Sequence, residues 1–189
     1  IWSRTAVSDA LLTGTLGISL LLFWRRMASK NNDQCILAWV FLGFAVLTKG
    51  PVAFVLAALT LISFLFCQKN WERLLCKINL KKGLLITTLI SVPWYILELI
   101  KEGKPFWESF FGYHNFQRYT SVVNNHAEPF WFFLYIMLLA SLPFTPFLCH
   151  GIFETLKDFL NSSKRNIIFS ETLYTYSLCW LISVLIFFS

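Results

Sequence analysis

Charged residues are scarce in this chain. Only 14% of its 189 residues are Asp, Glu, Lys or Arg, whereas 57% are hydrophobic and 18% are aromatic. The mean hydropathy of +0.62 is too high for an ordinary water-soluble domain of this length. The composition therefore predicts a membrane protein.

Several motifs that would indicate other classes of protein are missing. The sequence has no Cys-x-x-Cys zinc pattern and no Gly-rich nucleotide loop, and no polar linker or solenoid repeat divides it. The net charge of +6 comes without a nucleic-acid-binding motif, and a basic balance in a membrane protein is typical of cytoplasmic loops. We therefore expect no nucleic-acid partner and one multi-span membrane domain, of which residues 1–189 form a part.

Six apolar stretches predict the fold. Each is near the roughly 20 residues that cross the hydrocarbon core of a bilayer: 9–25, 35–49, 51–67, 84–101, 130–150 and 168–188. Only Lys49-Gly50-Pro51 separates the second stretch from the third, which predicts a tight helical hairpin at that tripeptide. The predicted fold class is an all-α, polytopic transmembrane protein with about six spans in this chain, which we interpret as a fragment of a longer protein.

Basic residues are divided unevenly between the two sides that these spans define. Eleven of the sixteen fall in residues 25–34, 68–83 and 151–167, so the positive-inside rule places those segments in the cytoplasm. The opposite side then holds residues 1–9, the Lys49 turn and the long segment 102–130.

That long segment mixes aromatic and polar residues. After Pro105, which suits the first turn of a helix, the residues that recur at helical spacing are Trp107, Phe110, Phe111, His114 and Arg118. An amphipathic helix with an aromatic side is typical of the membrane interface, where it contacts membrane lipids.

Two ionisable residues stand at the outer ends of predicted spans. Asp9 is either a helix-start carboxylate favoured by the helix dipole or a functional residue, namely an outward-facing acid or a carboxylate that binds a sugar. Lys49 is either a lysine that snorkels from a helix end or a cation aimed by the Gly50-Pro51 turn at an anion. The sequence leaves both pairs of alternatives open.

His114 and Arg118 lie one helical turn apart. A planar guanidinium matches a phosphate, and histidine is the commonest metal ligand, although the same spacing also occurs by chance in interfacial helices. One histidine is not a metal site, since a catalytic zinc usually has about three protein ligands; His126, Glu108 and Glu128 are the available companions.

Five segments, in this order and spacing, resemble one family. They are SRTAVSDALL, LTKGPVAFVL, VPWY, FFGYHNFQRYT and HAEPFWFFLYIMLLASLPFTPFL, which together run through nearly the whole chain. They resemble the ArnT-like, PMT-related membrane glycosyltransferases of the GT-C superfamily. The Lys-Gly-Pro turn combined with the His-Asn-x-x-Arg loop is much more specific than either motif alone.

The resemblance implies an enzyme at the periplasmic face of the bacterial inner membrane. Such an enzyme moves a sugar from a polyprenyl-phosphate donor to a lipid acceptor, such as lipid A, or to another glycan acceptor. It implies that Lys49 and Arg118 bind the donor phosphate, that Asn115 binds substrate, and that His114 is a metal ligand or a polar active-site group. The resemblance therefore allows a divalent metal ion as a cofactor, and no nucleotide is expected.

The resemblance also assigns a place to Asp9, which corresponds to an acidic residue of the second outer loop. Asp9 is the catalytic candidate in this chain, but the family's principal carboxylate belongs to a first outer loop that this chain lacks, so we expect the fragment alone to be inactive. The rival hypothesis is a multi-span transporter or flippase, whose broken helices and intramembrane charges look similar.

Overall fold

The computed structural model describes residues 8–28, 34–68, 71–106, 132–160 and 169–188, and these ranges contain helices and no strand. The helices are α1 (Ser8–Ala28), α2 (Gln34–Lys49), α3 (Pro51–Cys67), α4 (Trp71–Ile78), α5 (Leu80–Glu102), α6 (Lys104–Phe106), α7 (Phe132–Ala140), α8 (Thr145–Leu160) and α9 (Phe169–Phe188). The all-α prediction is confirmed for this part of the chain. The predicted interfacial helix falls mostly outside it.

Five of the six predicted spans each coincide with a single helix. The exception is the stretch 130–150. Stretch 130–150 was expected to be one span kinked at Pro143 and Pro146, but α7 ends at Ala140 and α8 begins at Thr145. Pro143 and Pro146 explain the break, because proline lacks an N–H group and disfavours helical backbone at the preceding residue. Pro146 itself stands in the first turn of α8, where the missing donor is tolerated.

One stretch among the described residues, Leu75–Glu102, is both long and apolar enough to cross a membrane. Three further apolar helical stretches are shorter: Cys35–Lys49, Pro51–Cys67 and Leu173–Phe187.

The chain divides into two compact units. The first comprises Ile1–Ala58 with Asn70–Ala127, and the second comprises Leu59–Lys69 with Glu128–Ser189. In the second unit α9 packs against α8 and α7, and the ring of Tyr176 meets that of Phe64 edge to face at 5.0 Å between centroids.

In the first unit α2 is the central helix and packs against α1 and α5. It runs antiparallel to α1: Ser19 Oγ donates a hydrogen bond of 2.8 Å to the Ala38 carbonyl, and Asp9, earlier in α1, contacts Lys49, later in α2. It runs parallel to α5: Thr87 Oγ1 donates a hydrogen bond of 3.2 Å to the Trp39 carbonyl, and Tyr95, later in α5, donates to the carbonyl of Val46, later in α2. The turn at Gly50 lies where we predicted it, between the end of α2 and the start of α3.

A glycine on α5 lets α2 approach closely. A Cβ atom on Gly83 would lie 1.9 Å from the Trp39 indole ring. That indole is 3% exposed, donates its N–H to the Ile78 carbonyl at 2.9 Å and meets the Phe23 ring edge to face at 4.9 Å. The small residue at position 83 therefore sets the distance between α2 and α5.

Two basic side chains cap helices at the end of this unit that we assigned to the cytoplasm. Arg26 Nε donates to the Lys77 carbonyl at 3.1 Å, and Lys77 Nζ donates to the Met27 carbonyl at 2.8 Å. Each cation thus satisfies a carbonyl in the last turn of the other's helix, where the helix dipole favours positive charge.

Candidate functional site at the Lys49 turn

The candidate site is built on the turn that ends α2. Gly50 has a φ of 79°, a left-handed conformation that glycine adopts without steric penalty, and its N–H donates to the Val46 carbonyl at 2.7 Å. Pro51 then begins α3, in the position where a helix tolerates proline best. The tripeptide stops α2 directly after Lys49 and fixes the backbone from which the lysine side chain projects.

The structure pairs Lys49 with Asp9. The Lys49 ammonium forms a salt bridge with Asp9 Oδ1; the lysine side chain is 33% exposed and the carboxylate side chain 61% exposed. Asp9 lies in the first turn of α1 and Lys49 in the last turn of α2, so the antiparallel packing of these helices brings the two ends together. Two candidates that the sequence offered separately therefore share one site.

The exposure of this pair limits how strongly it binds. Ion pairs that remain open to solvent contribute about 0–1 kcal/mol, so Asp9 is a weak partner for the lysine. A phosphate can also accept charge-assisted hydrogen bonds from the same ammonium. The arrangement can hold Lys49 in place while its site is empty and release it to an incoming anion.

A tyrosine from α5 also reaches this turn. Tyr95 OH donates a hydrogen bond of 2.7 Å to the Val46 carbonyl, the same oxygen that accepts the Gly50 N–H. Sequence reasoning treated Tyr95 as an ordinary residue within a span and missed this contact. The only local signal was its position in the VPWY segment, one of the segments that carry the family resemblance.

A shallow apolar groove runs beside the ion pair between α1 and α2. It has a volume of about 480 Å³ and is lined by Ser8, Leu11, Thr15, Phe44, Leu47 and Thr48. Ser8 and Thr48 are the chain neighbours of Asp9 and Lys49, so the charged pair stands at the edge of an apolar surface.

The other predicted site residues, His114, Asn115 and Arg118, lie outside the described residues, as do their suggested companions Glu108, His126 and Glu128. Within the described part of the chain, no three His, Cys, Asp or Glu side chains come together in a group that could hold a metal ion. Asp9 is paired with a cation instead. The described residues by themselves do not fit a metal site, and the role of His114 stays a prediction.

Comparison with known proteins places this site within a matched region. The family model for dolichyl-phosphate-mannose-protein mannosyltransferase (PMT) matches residues 2–104, which include Asp9, Lys49 and Tyr95. No solved structure matches the chain.

Curated relatives match over a longer range. An undecaprenyl phosphate-alpha-4-amino-4-deoxy-L-arabinose arabinosyl transferase of Erwinia tasmaniensis is 27% identical over 188 residues, which cover 97% of this chain and 32% of the relative. A second protein of that name, numbered 2, from Proteus mirabilis is 30% identical over 171 residues, which cover 88% of this chain and 29% of the relative. One from Pseudomonas fluorescens, numbered 1, is 28% identical over 185 residues, which cover 96% of this chain and 31% of the relative. The chain spans about a third of the length of these relatives.

Proposed function

Because this chain belongs to the dolichyl-phosphate-mannose-protein mannosyltransferase (PMT) family, we propose that it forms part of an integral-membrane glycosyltransferase. The donor is a polyprenyl-phosphate sugar, as the names of the arabinosyl transferase relatives suggest for those proteins. The acceptor is a lipid of the lipid A type or another envelope glycan, and transfer takes place at the periplasmic face of the inner membrane.

The observation that carries this proposal is the Asp9–Lys49 pair at the Gly50 turn. When a sugar leaves a polyprenyl phosphate, negative charge develops on a phosphate oxygen. A cation fixed beforehand in a partly desolvated interface stabilises that charge more than water does. Lys49 is such a cation, since its backbone is held by the turn and its ammonium by an exchangeable carboxylate.

The remaining roles follow from the chemistry of each residue. Arg118 offers a planar fork of donors to the same phosphate, and Asn115 contributes polar contacts to the substrate. Asp9, once the phosphate has taken its place beside Lys49, is free to accept a hydrogen bond from the sugar or the acceptor. Should His114 hold a divalent metal, the ion would supply further positive charge near the phosphate.

Replacing Lys49 with methionine tests the proposal. Lys49→Met keeps the unbranched apolar stem and removes the charge, and a charge-assisted hydrogen bond contributes about 1.5–3 kcal/mol. Sugar transfer by the full-length protein should therefore fall about tenfold to a hundredfold, while its amount in the membrane stays unchanged.

The matched control is Lys101→Met. Lys101 is an exposed lysine in the last turn of another apolar helix, α5, so it shares the snorkelling geometry but not the Gly50 turn or the Asp9 contact. Its replacement should leave transfer unchanged. Wild-type transfer by Lys49→Met would overturn the phosphate role, and movement of the donor across the bilayer without any transfer would favour a flippase.

A further inference from the structure

The hydroxyl group of Tyr95 joins the Lys49 turn to a neighbouring helix. It donates a hydrogen bond of 2.7 Å to the Val46 carbonyl, and the Gly50 N–H donates to that same Val46 oxygen at 2.7 Å. The Tyr95 hydroxyl, the Val46 carbonyl and the Gly50 amide therefore form one hydrogen-bonded cluster next to Lys49, the residue that we assign to the donor phosphate.

The last turn of a helix is the part most in need of such support. Its final four carbonyl groups have no partner within the helix, so its backbone frays unless other groups bind them. In α2, whose last four carbonyls are those of residues 46–49, the Val46 carbonyl accepts hydrogen bonds from the Gly50 amide of the turn and from the Tyr95 hydroxyl of α5. The backbone at Lys49 is thus anchored to α5 and does not depend on α2 alone.

We propose that Tyr95 is a positioning residue for the donor phosphate: through its hydrogen bond to the Val46 carbonyl it holds the Lys49 turn at a fixed distance from α5. This inference rests on the function proposed above. Tyr95 itself does not touch the donor. It restricts the backbone from which the long, flexible lysine side chain extends, so that less conformational freedom is lost when the ammonium meets the phosphate.

The chain provides a matched comparison on the same pair of helices. Thr87 Oγ1 of α5 donates to the Trp39 carbonyl of α2 at 3.2 Å, a bond of the same kind as that of Tyr95. Trp39 lies about two helical turns before Val46, at a distance from the Lys49 turn. A hydroxyl that merely stabilises the contact between α2 and α5 should behave like Thr87, and a hydroxyl that positions Lys49 should not.

The experiment compares Tyr95→Phe with Thr87→Val in the full-length protein. Tyr95→Phe removes one oxygen and keeps the ring that packs edge to face on Trp94 at 5.0 Å, so the variant retains its fold. We expect Tyr95→Phe to raise the Kd for undecaprenyl phosphate about threefold to tenfold, the equivalent of one ordinary hydrogen bond, and to leave the KM for the acceptor unchanged. Thr87→Val should leave both values unchanged.

A double-mutant cycle separates positioning from general stability. If Tyr95 acts through Lys49, Tyr95→Phe has no further effect on undecaprenyl phosphate binding in a Lys49→Met background. An equal effect in both backgrounds, an unchanged Kd for Tyr95→Phe alone, or an equal rise for Thr87→Val would overturn the proposal. Normal transfer by Lys49→Met would instead overturn the phosphate role of Lys49, so the two failures are distinguishable.

Discussion

At the scale of single residues, the sequence singled out Asp9 and Lys49 as candidates but did not predict the salt bridge between them. Each residue stood out because an ionisable group at the end of an apolar helix requires an explanation. Their contact depends on the antiparallel packing of α1 and α2, which no local pattern encodes. The structure shows that the charge of the Lys49 ammonium is paired with a carboxylate of the same chain, that of Asp9.

Replacing that carboxylate should affect binding more than folding. Asp9→Asn leaves Lys49 charged and removes the anion that competes with the phosphate, so affinity for undecaprenyl phosphate should rise by up to about fivefold, the limit set by about 1 kcal/mol for an exposed pair. The melting temperature should change little, for the same reason. Equilibrium binding and thermal melting of the full-length variant measure the two effects.

A fall in affinity would contradict this interpretation of Asp9. If Asp9→Asn binds undecaprenyl phosphate as weakly as Lys49→Met does, the carboxylate is needed to hold the lysine in place and does not merely occupy its site.

Tyr95 shows why part of the site could not be predicted. Its hydroxyl binds the carbonyl of Val46, far away along the chain, and a tyrosine within an apolar stretch carries no sign of such a partner. The helix pair that creates the contact had to be known first. Asn115, His114 and Arg118 remain predictions, since they lie outside the described residues.

At the scale of helices, most boundaries followed from proline, glycine and charge. The end of α2 and the start of α3 lie at Lys49 and Pro51 as predicted, because Gly50 and Pro51 stop one helix and open the next. The prolines of stretch 130–150 were expected to kink a single helix, and they divide it into two helices instead. Apolar length is a property of composition, and helix continuity also depends on backbone hydrogen bonding.

The close packing of α2 on α5 depends on the absence of a side chain at position 83. Gly83→Ala places a Cβ atom 1.9 Å from the Trp39 indole, and overpacking of this kind costs about 1–3 kcal/mol. We expect a lower melting temperature for this variant of the full-length protein. We also expect a weaker affinity for undecaprenyl phosphate, because the added Cβ atom pushes α2 away from α5 and so moves Val46 away from Tyr95.

Gly14→Ala is the control for this change. Position 14 of α1 has open space around it, and alanine is a better helix former than glycine by about 1 kcal/mol. Its melting temperature should stay the same or rise slightly. An unchanged melting temperature for Gly83→Ala would show that α2 and α5 do not need their close approach.

At the scale of the whole molecule, residues predicted to lie on the same side of the membrane come together in the first unit. Asp9 and Lys49, both predicted to face outward, form a salt bridge. Arg26 and Lys77, both predicted to face the cytoplasm, lie together as well: Arg26 donates to the Lys77 carbonyl and Lys77 donates to the Met27 carbonyl. Charge bias alone gave this assignment, because it follows from a count of basic residues in loops. How the helices pack within the unit was not predictable in the same way, since an apolar helix in a membrane protein has no strongly polar face to orient it.

The central claim is that the Lys49 turn recognises the phosphate of a polyprenyl donor, and the most direct measurement compares two lipids that differ only in that group. Full-length wild-type protein in detergent should bind undecaprenyl phosphate more tightly than neutral undecaprenol, and Lys49→Met should lose about tenfold to a hundredfold of that preference while binding undecaprenol as before. If Lys49→Met retains the full wild-type preference for undecaprenyl phosphate, the lysine does not recognise the phosphate and the account is wrong.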